Sequence, residues 1–245
     1  MLKITIRNTF VSLLFLCLSI FSSCKNGWPF CPEKEKVDYK ISSETSSIKL
    51  DADNALLNLR QAGFARLNIN GSPNTLASLN VSNSNHALAI SYPGCKDVHK
   101  SIEAELGLTS FDSVAVSNKS KIVISDFTGL ELYAEAKDGV IEIKRFYGSS
   151  VDFFASLAGK IFIETGTKIK NAKFRLDSES DIHAASLQSE KAVIDIQNNS
   201  TCRIGEVSSL VVKGKGPGTV YYIGSPEITN ENPSLITLVK IADEK

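Results

Sequence analysis

The stretch "GKIFIETGTKIKNAKFRL", residues 159–176, alternates apolar and polar side chains, breaks at Thr165, Gly166 and Thr167, and then alternates again. A period of two marks a strand with one face buried and one face wet. The same opening returns along the chain. It is SKIVI at 120–124, GVIEI at 139–143, GKIFI at 159–163, SDIHA at 180–184, STCRI at 200–204 and GTVYY at 218–222. Each segment begins with Gly or Ser and carries an apolar or sulfur-bearing side chain at its third position. Those third positions are 122, 141, 161, 182, 202 and 220, separated by 19, 20, 21, 20 and 18 residues.

A second apolar track runs between them: Leu130 and Leu132, Val151 and Phe153, Phe174 and Leu176, Ile194 and Ile196, Leu210 and Val212. A third line falls at Phe127, Phe146, Ile169, Leu187 and Val207. Two or three short strands recurring about every 20 residues predict a coiled β-solenoid, because no single coil can bury its own inward side chains and stacking can. Ile122, Ile141, Ile161, Ile182, Cys202 and Val220 then form one inward column. An antiparallel sandwich also yields short strands at regular spacing. Against it, Asp138-Gly139 is the one clear hairpin dipeptide between these strands.

The rest of the chain is organised around that stack. Lys3 and Arg7 precede an unbroken apolar run at residues 10–21, "FVSLLFLCLSIF". Twelve residues fall short of the roughly 20 needed to span a bilayer but suit a secretory signal peptide. Ser22 and Ser23 before Cys24 look like a bacterial lipobox, so the expected division is a signal peptide at 1–23 and lipidation at Cys24. Residues 24–37 read as a tether with two prolines and mixed charge. Residues 38–245 read as the β-solenoid, with an irregular N-terminal cap at 38–117, regular coils at 118–226 and a closing segment at 227–245. The solenoid is thus all-β.

Composition narrows the function classes. Hydrophobic residues make up 42% of the 245 and charged residues 22%, which is the composition of a folded chain. Lys plus Arg and Asp plus Glu are each 27, so no basic excess marks a nucleic-acid partner.

The residues resemble a known family, the bacterial lipoproteins described as putative autotransporter adhesins with a head GIN domain. The likeness rests on the lipobox, on "FARLNINGSPNTLASLNVSNSNHALAISY" at 64–92, on the Ser- or Gly-led strands, and on the closing "GTVYYIGSP" at 218–226. It spans about residues 39–240. It implies a right-handed β-helix-like fold, a cell-envelope location and no catalytic residues.

Several candidate sites can be weighed on the residues themselves. Asp177, Glu179 and Asp181 would share one face of an extended strand, a start toward a Ca²⁺ site, yet no Gly-rich metal loop accompanies them and calcium takes 6 to 8 oxygens. His86 and His99 have no metal-ligand spacing. No nucleophile elbow, phosphate loop or dinucleotide fingerprint is present. One outward column holds Lys121, Val140, Lys160, Asp181, Thr201 and Thr219; another holds Val123, Glu142, Phe162, His183, Arg203 and Tyr221. A glycosidase needs two facing carboxyl groups, and one Glu in a column does not supply them. Phe162, His183, Arg203 and Tyr221 instead form the candidate binding face.

The function expected is a non-enzymatic surface-binding lipoprotein of the bacterial outer membrane. It needs no metal or cofactor, is held by its lipid, and has a glycan or protein as partner. A polysaccharide-acting enzyme and a purely structural envelope protein are the alternatives. Of the cysteines left in the mature chain, Cys202 belongs to the inward column as a small buried hydrophobe. Cys31 and Cys95 are the pair near the surface, and a disulfide between them or two free thiols are both open.

Overall fold

The computed structural model describes residues 34–92 and 102–242. Almost every described segment is a strand, and the strands stack as the coils of a β-solenoid. Each coil gives one strand to each of two parallel sheets. The first sheet runs through Lys121–Ile124, Val140–Tyr147, Lys160–Gly166, Asp181–Ala184, the start of Ser200–Lys213, Gly218–Ile223 and Ile236–Lys240. The second runs through Ser113–Ser117, Glu131–Lys137, Ser150–Ser156, Lys168–Leu176, Gln188–Ile196, the end of Ser200–Lys213 and Glu227–Asn230. Ser200–Lys213 is long enough to serve both.

The register of the first sheet follows from its β-branched inward residues. Ile122, Ile141, Ile161, Ile182, Cys202 and Val220 pair in direct succession, and none retains exposed surface. A slip of one residue would turn the whole set to solvent. The column runs on to Leu238 at one end and to Leu57 and Ala104 at the other.

The second sheet corrects the expected track. Leu130 is 82% exposed, because it sits in the turn where its carbonyl accepts from the Ser149 and Ser150 N–H groups, each at 3.0 Å. Leu132, Ala134 and Ala136 take the inward places instead, opposite Val151, Phe153 and Ala155. Small and large side chains share the inward columns: Ala134 lies beside Phe153, which stacks on Phe174 at 5.7 Å between ring centroids. The third line is also rearranged. Phe127 and Phe146 stack at 5.1 Å and Phe146 pairs with Gly166, whereas Ile169 pairs with Ser189 and then Val207. Leu187 is fully buried, but it packs over Gly166 from a turn.

The Gly or Ser that opens each first-sheet strand marks the tightest point of the coil. A Cβ on Gly159 would meet the Ala136 carbonyl oxygen at 2.1 Å, and one on Gly218 would meet Ile196 at 2.8 Å. Where serine stands there, its hydroxyl is put to use: Ser180 Oγ donates to the Ala155 carbonyl at 2.9 Å and accepts from the Asp177 N–H at 3.1 Å. Just before this point the chain crosses between sheets through paired left-handed residues. The pairs are Asn118 and Lys119, Leu157 and Ala158, Ser178 and Glu179, and Asn198 and Asn199, with φ between 52° and 63°.

The N-terminal half is ordered differently in space and in sequence. Ser47–Ala52 and Leu56–Gln61 form a coil that lies inside the stack. On one side they pair with Ser113–Ser117 and Lys121–Ile124, and on the other with Ala87–Tyr92 and Glu103–Leu108. The stretch around Leu57 and Leu59 is strand, with both leucines fully buried. Antiparallel strands close this end: Arg66–Gly71 lies against Glu103–Leu108, Glu35–Tyr39 against Arg66–Gly71, and Asn80–Ser84 against Ala87–Tyr92. The one helix among the described residues, Pro73–Ala77, starts where Ser72 Oγ accepts from the Thr75 N–H and proline fills the first turn.

Candidate binding face

Strand alternation sends Phe162, His183, Arg203 and Tyr221 to the outer surface of the first sheet, and the register pairs them on four successive coils. Phe162 and His183 meet edge to face with ring centroids 6.2 Å apart. The Arg203 guanidinium lies over the Tyr221 ring, 5.2 Å from its centroid, a cation–π geometry. Phe162, His183 and Tyr221 are half-buried and Arg203 is exposed.

Glu142 precedes Phe162 in the same column. Its carboxylate accepts hydrogen bonds from Lys121, one coil back, and from Lys144 on its own strand; Lys144 also donates to Glu164 on the next coil. These lysines hold the Glu142 carboxyl at about 2, far below its ordinary value, and the two carboxylates raise Lys144. Lys121, Glu142, Phe162, Glu164, His183 and Ser186 line an open depression of about 580 Å³. The sequence reading found the rings but not this ionic chain, which joins residues two apart on a strand with residues on neighbouring coils. Periodicity brings them near, and only the register shows that they touch.

The arrangement is poor for acid catalysis. A general acid must hold its proton near working pH, and Glu142 is kept ionised. Glu164, the second carboxylate, shares the same lysine rather than facing Glu142 across a gap.

Asp177, Glu179 and Asp181 do not come together. A turn at 177–180 separates the strands, so the three residues do not share a face. Asp177 accepts from the Asn198 amide at 2.6 Å, Glu179 sits in a left-handed turn, and Asp181 stands between Lys160 and Thr201. His86 Nδ1 lies 3.0 Å from the Glu44 carbonyl oxygen. Cys202 is buried and free, its thiol pushed up by burial and then by Asp181. Cys24, Cys31, Cys95 and His99 lie outside the described residues.

The second sheet carries a comparable outer face, where Asp152 takes Lys173 and Arg175 at 2.9 and 3.0 Å and Arg175 covers the Phe154 ring at 5.3 Å. Tyr133, in register with Asp152 on the same face, donates its hydroxyl to Glu135 at 3.1 Å.

Solved structures share this fold. A putative adhesin from Bacteroides fragilis NCTC 9343 superposes with a TM-score of 0.69 at 18% identity, over 86% of this chain and 95% of its own. One from Parabacteroides merdae ATCC 43184 gives 0.65 at 14% identity, over 86% and 95%. A putative lipid binding protein from Parabacteroides distasonis ATCC 8503 gives 0.61 at 17% identity, over 86% and 96%. No curated protein matches the chain. Family assignment rests on the sequence profile described as "Putative auto-transporter adhesin, head GIN domain", which matches residues 46–226. That span takes in every coil from the interior Ser47–Ala52 strand to the GTVYYIGSP motif, and with it the outward column of rings: the chain belongs to the head GIN domain family of putative auto-transporter adhesins.

Proposed function

We propose that this chain is a non-enzymatic adhesion module, held in a bacterial cell envelope by a lipid on Cys24, which meets its partner with the outer face of the first sheet. The observation that carries the reading is the unbroken column Phe162–His183–Arg203–Tyr221, in register on four coils. A rigid sheet holds those side chains at fixed spacing, so little ordering entropy is lost when a partner binds. Membership of the adhesin family supports the same reading. An ionised Glu142 with no acid opposite it supports binding over catalysis.

Beads coated with the protein should adhere to bacterial or epithelial cell surfaces above albumin-coated beads. The combined variant Phe162→Ala, His183→Ala, Arg203→Ala and Tyr221→Ala should lose that adhesion while keeping its circular dichroism. Adhesion no better than albumin overturns the adhesive reading. The anchor is tested separately: Cys24→Ser should move the protein from the detergent phase to the aqueous phase, since stable attachment takes two or more acyl chains.

A further inference from the structure

We infer that the ligand of this face is a neutral, linear glycan lying along the stack axis, an inference that rests on the adhesive reading above. The first argument is charge. In and beside the depression two lysines and two glutamates neutralise one another through direct contacts: Lys121 with Glu142, Lys144 with Glu142, and Lys144 with Glu164. Arg203, further along the column, lies over the Tyr221 ring. At the depression an anionic or cationic ligand would have to break one of these ion pairs and leave the other partner uncompensated, whereas an uncharged one need not.

The second argument is the kind of group on offer. Glu142 is ionised and nearly fixed, and its carboxylate can still accept hydrogen bonds on free lone pairs. Glu164, His183 and Ser186 stand round the same depression. Phe162 supplies an apolar ring among them. Hydroxyl donors spaced around a ring with an apolar face are the complement of that set, and a sugar presents both.

The third argument is repeat length. Adjacent strands are about 4.7–4.9 Å apart, so the column from Phe162 to Tyr221 spans three steps, about 14 Å. One step is close to the length of one sugar residue in an extended chain. A glycan running across the coils therefore meets a new outward side chain at nearly every residue: Phe162, His183, Arg203 and Tyr221 in turn.

The experiment measures binding of the detergent-solubilised full chain to cellohexaose and mannohexaose, with polygalacturonate and heparin hexasaccharides as charged comparators. The expected result is that a neutral hexasaccharide binds, more tightly than its disaccharide and more tightly than the charged oligomers. Phe162→Ala should weaken that binding about tenfold and Glu142→Gln several-fold, while Thr229→Ala on the other sheet leaves it unchanged. Matched thermal unfolding curves guard against misfolded variants. If no neutral hexasaccharide binds but bead adhesion persists and still depends on the column, the glycan inference fails and the adhesive reading stands. Tighter binding of the charged oligomers overturns the charge argument and the inference with it. Absence of bead adhesion fails the adhesive reading itself.

Discussion

Gly159 approaches Ala136 so closely that a methyl group on its α-carbon would stand 2.1 Å from the Ala136 carbonyl oxygen and 2.8 Å from that of Ser156. Both obstacles are backbone, so they cannot swing aside. Glycine at this coil is a matter of space, whereas Ser120, Ser180 and Ser200 hold the equivalent place in other coils with room for a Cβ. Gly159→Ala should cost at least about 2 kcal/mol, in the range of overpacked cores, by urea unfolding. Gly63, with nothing within 4 Å of a Cβ, should accept alanine to within about 0.5 kcal/mol. Equal effects at the two sites would show that something other than close approach selects glycine here.

The first-sheet column makes a similar contrast between neighbours in sequence. Ile161 is fully buried between Ile141 and Ile182, while Lys160 is exposed. Ile161→Asp would place a carboxylate in the core without a partner, a change worth several kcal/mol or a failure to fold. Lys160→Thr should stay within about 0.5 kcal/mol. Threonine is chosen because an acidic residue at 160 would face Asp181 directly. Soluble yield and the unfolding midpoint are the measurements, and an indifferent Ile161→Asp would refute the register.

Leu157 and Ala158 occupy left-handed backbone at φ 52° and 63°, where the equivalent coils place Asn118, Ser178 and Asn198 at the first position and Lys119, Glu179 and Asn199 at the second. Left-handed conformation costs an ordinary L-residue about 1–2 kcal/mol. Leu157 is also half exposed, at 51%, so little packing offsets that strain. Leu157→Asn and Ala158→Gly together should raise the unfolding midpoint by several degrees, equivalent to about 1 kcal/mol after the extra chain freedom of glycine is subtracted. A lowered midpoint would mean that the leucine side chain contributes more than its backbone costs.

Glu142 sets a pH dependence. Its carboxyl titrates near 4.5 when unfolded and is held at about 2 in the fold by Lys121 and Lys144. A depressed carboxyl stabilises the fold above its unfolded value, and that contribution disappears as pH falls toward the folded one. Wild type should therefore exceed Glu142→Gln in stability at pH 7, by under about 1 kcal/mol for pairs at a surface. The gap should close between pH 4.5 and pH 2. A gap that persists unchanged at pH 2 would assign it to packing.

Thiol labelling sorts the cysteines. Cys202, enclosed between Ile182 and Val220 with its thiol raised by burial, should resist iodoacetamide in the native state and react once unfolded. Reaction of Cys202 at the rate of a free peptide thiol would contradict its burial. We propose a Cys31–Cys95 disulfide, and non-reducing peptide mapping would detect it or show two free thiols in its place.

What was legible in the sequence divides along physical lines. The Ile122 to Val220 column could be read because apolar, mostly β-branched residues recur at the same place in every coil with mostly polar neighbours, and such alternation has one buried solution. Leu130 misled because a leucine beside a strand counts as apolar wherever it points. Ala134, Ala172 and Ala192 fill inward places in the second sheet, yet alanine is too common elsewhere to stand out. The outward rings followed from the period of two. The Lys121–Glu142–Lys144–Glu164 chain did not, since it depends on contacts between coils that spacing alone leaves undetermined. Nor could spacing reveal that Ser47–Ala52 and Leu56–Gln61 lie between later segments, because out-of-order pairing leaves no periodic trace.

That interior coil has a consequence for how the chain assembles. Both edges of Ser47–Ala52 and Leu56–Gln61 are filled by strands that come later in the sequence, 87–108 on one side and 113–124 on the other. As the polypeptide emerges N-terminus first, its earliest coil has no template and must remain open. Later coils, by contrast, each find a finished neighbour and can zip on in turn. Closing the long loops to 87–108 and 113–124 is thus the slow, entropically costly step, after which growth toward Ile236–Lys240 is local. Nucleation belongs to the half of the molecule with the least regular sequence, and the regular repeats supply propagation.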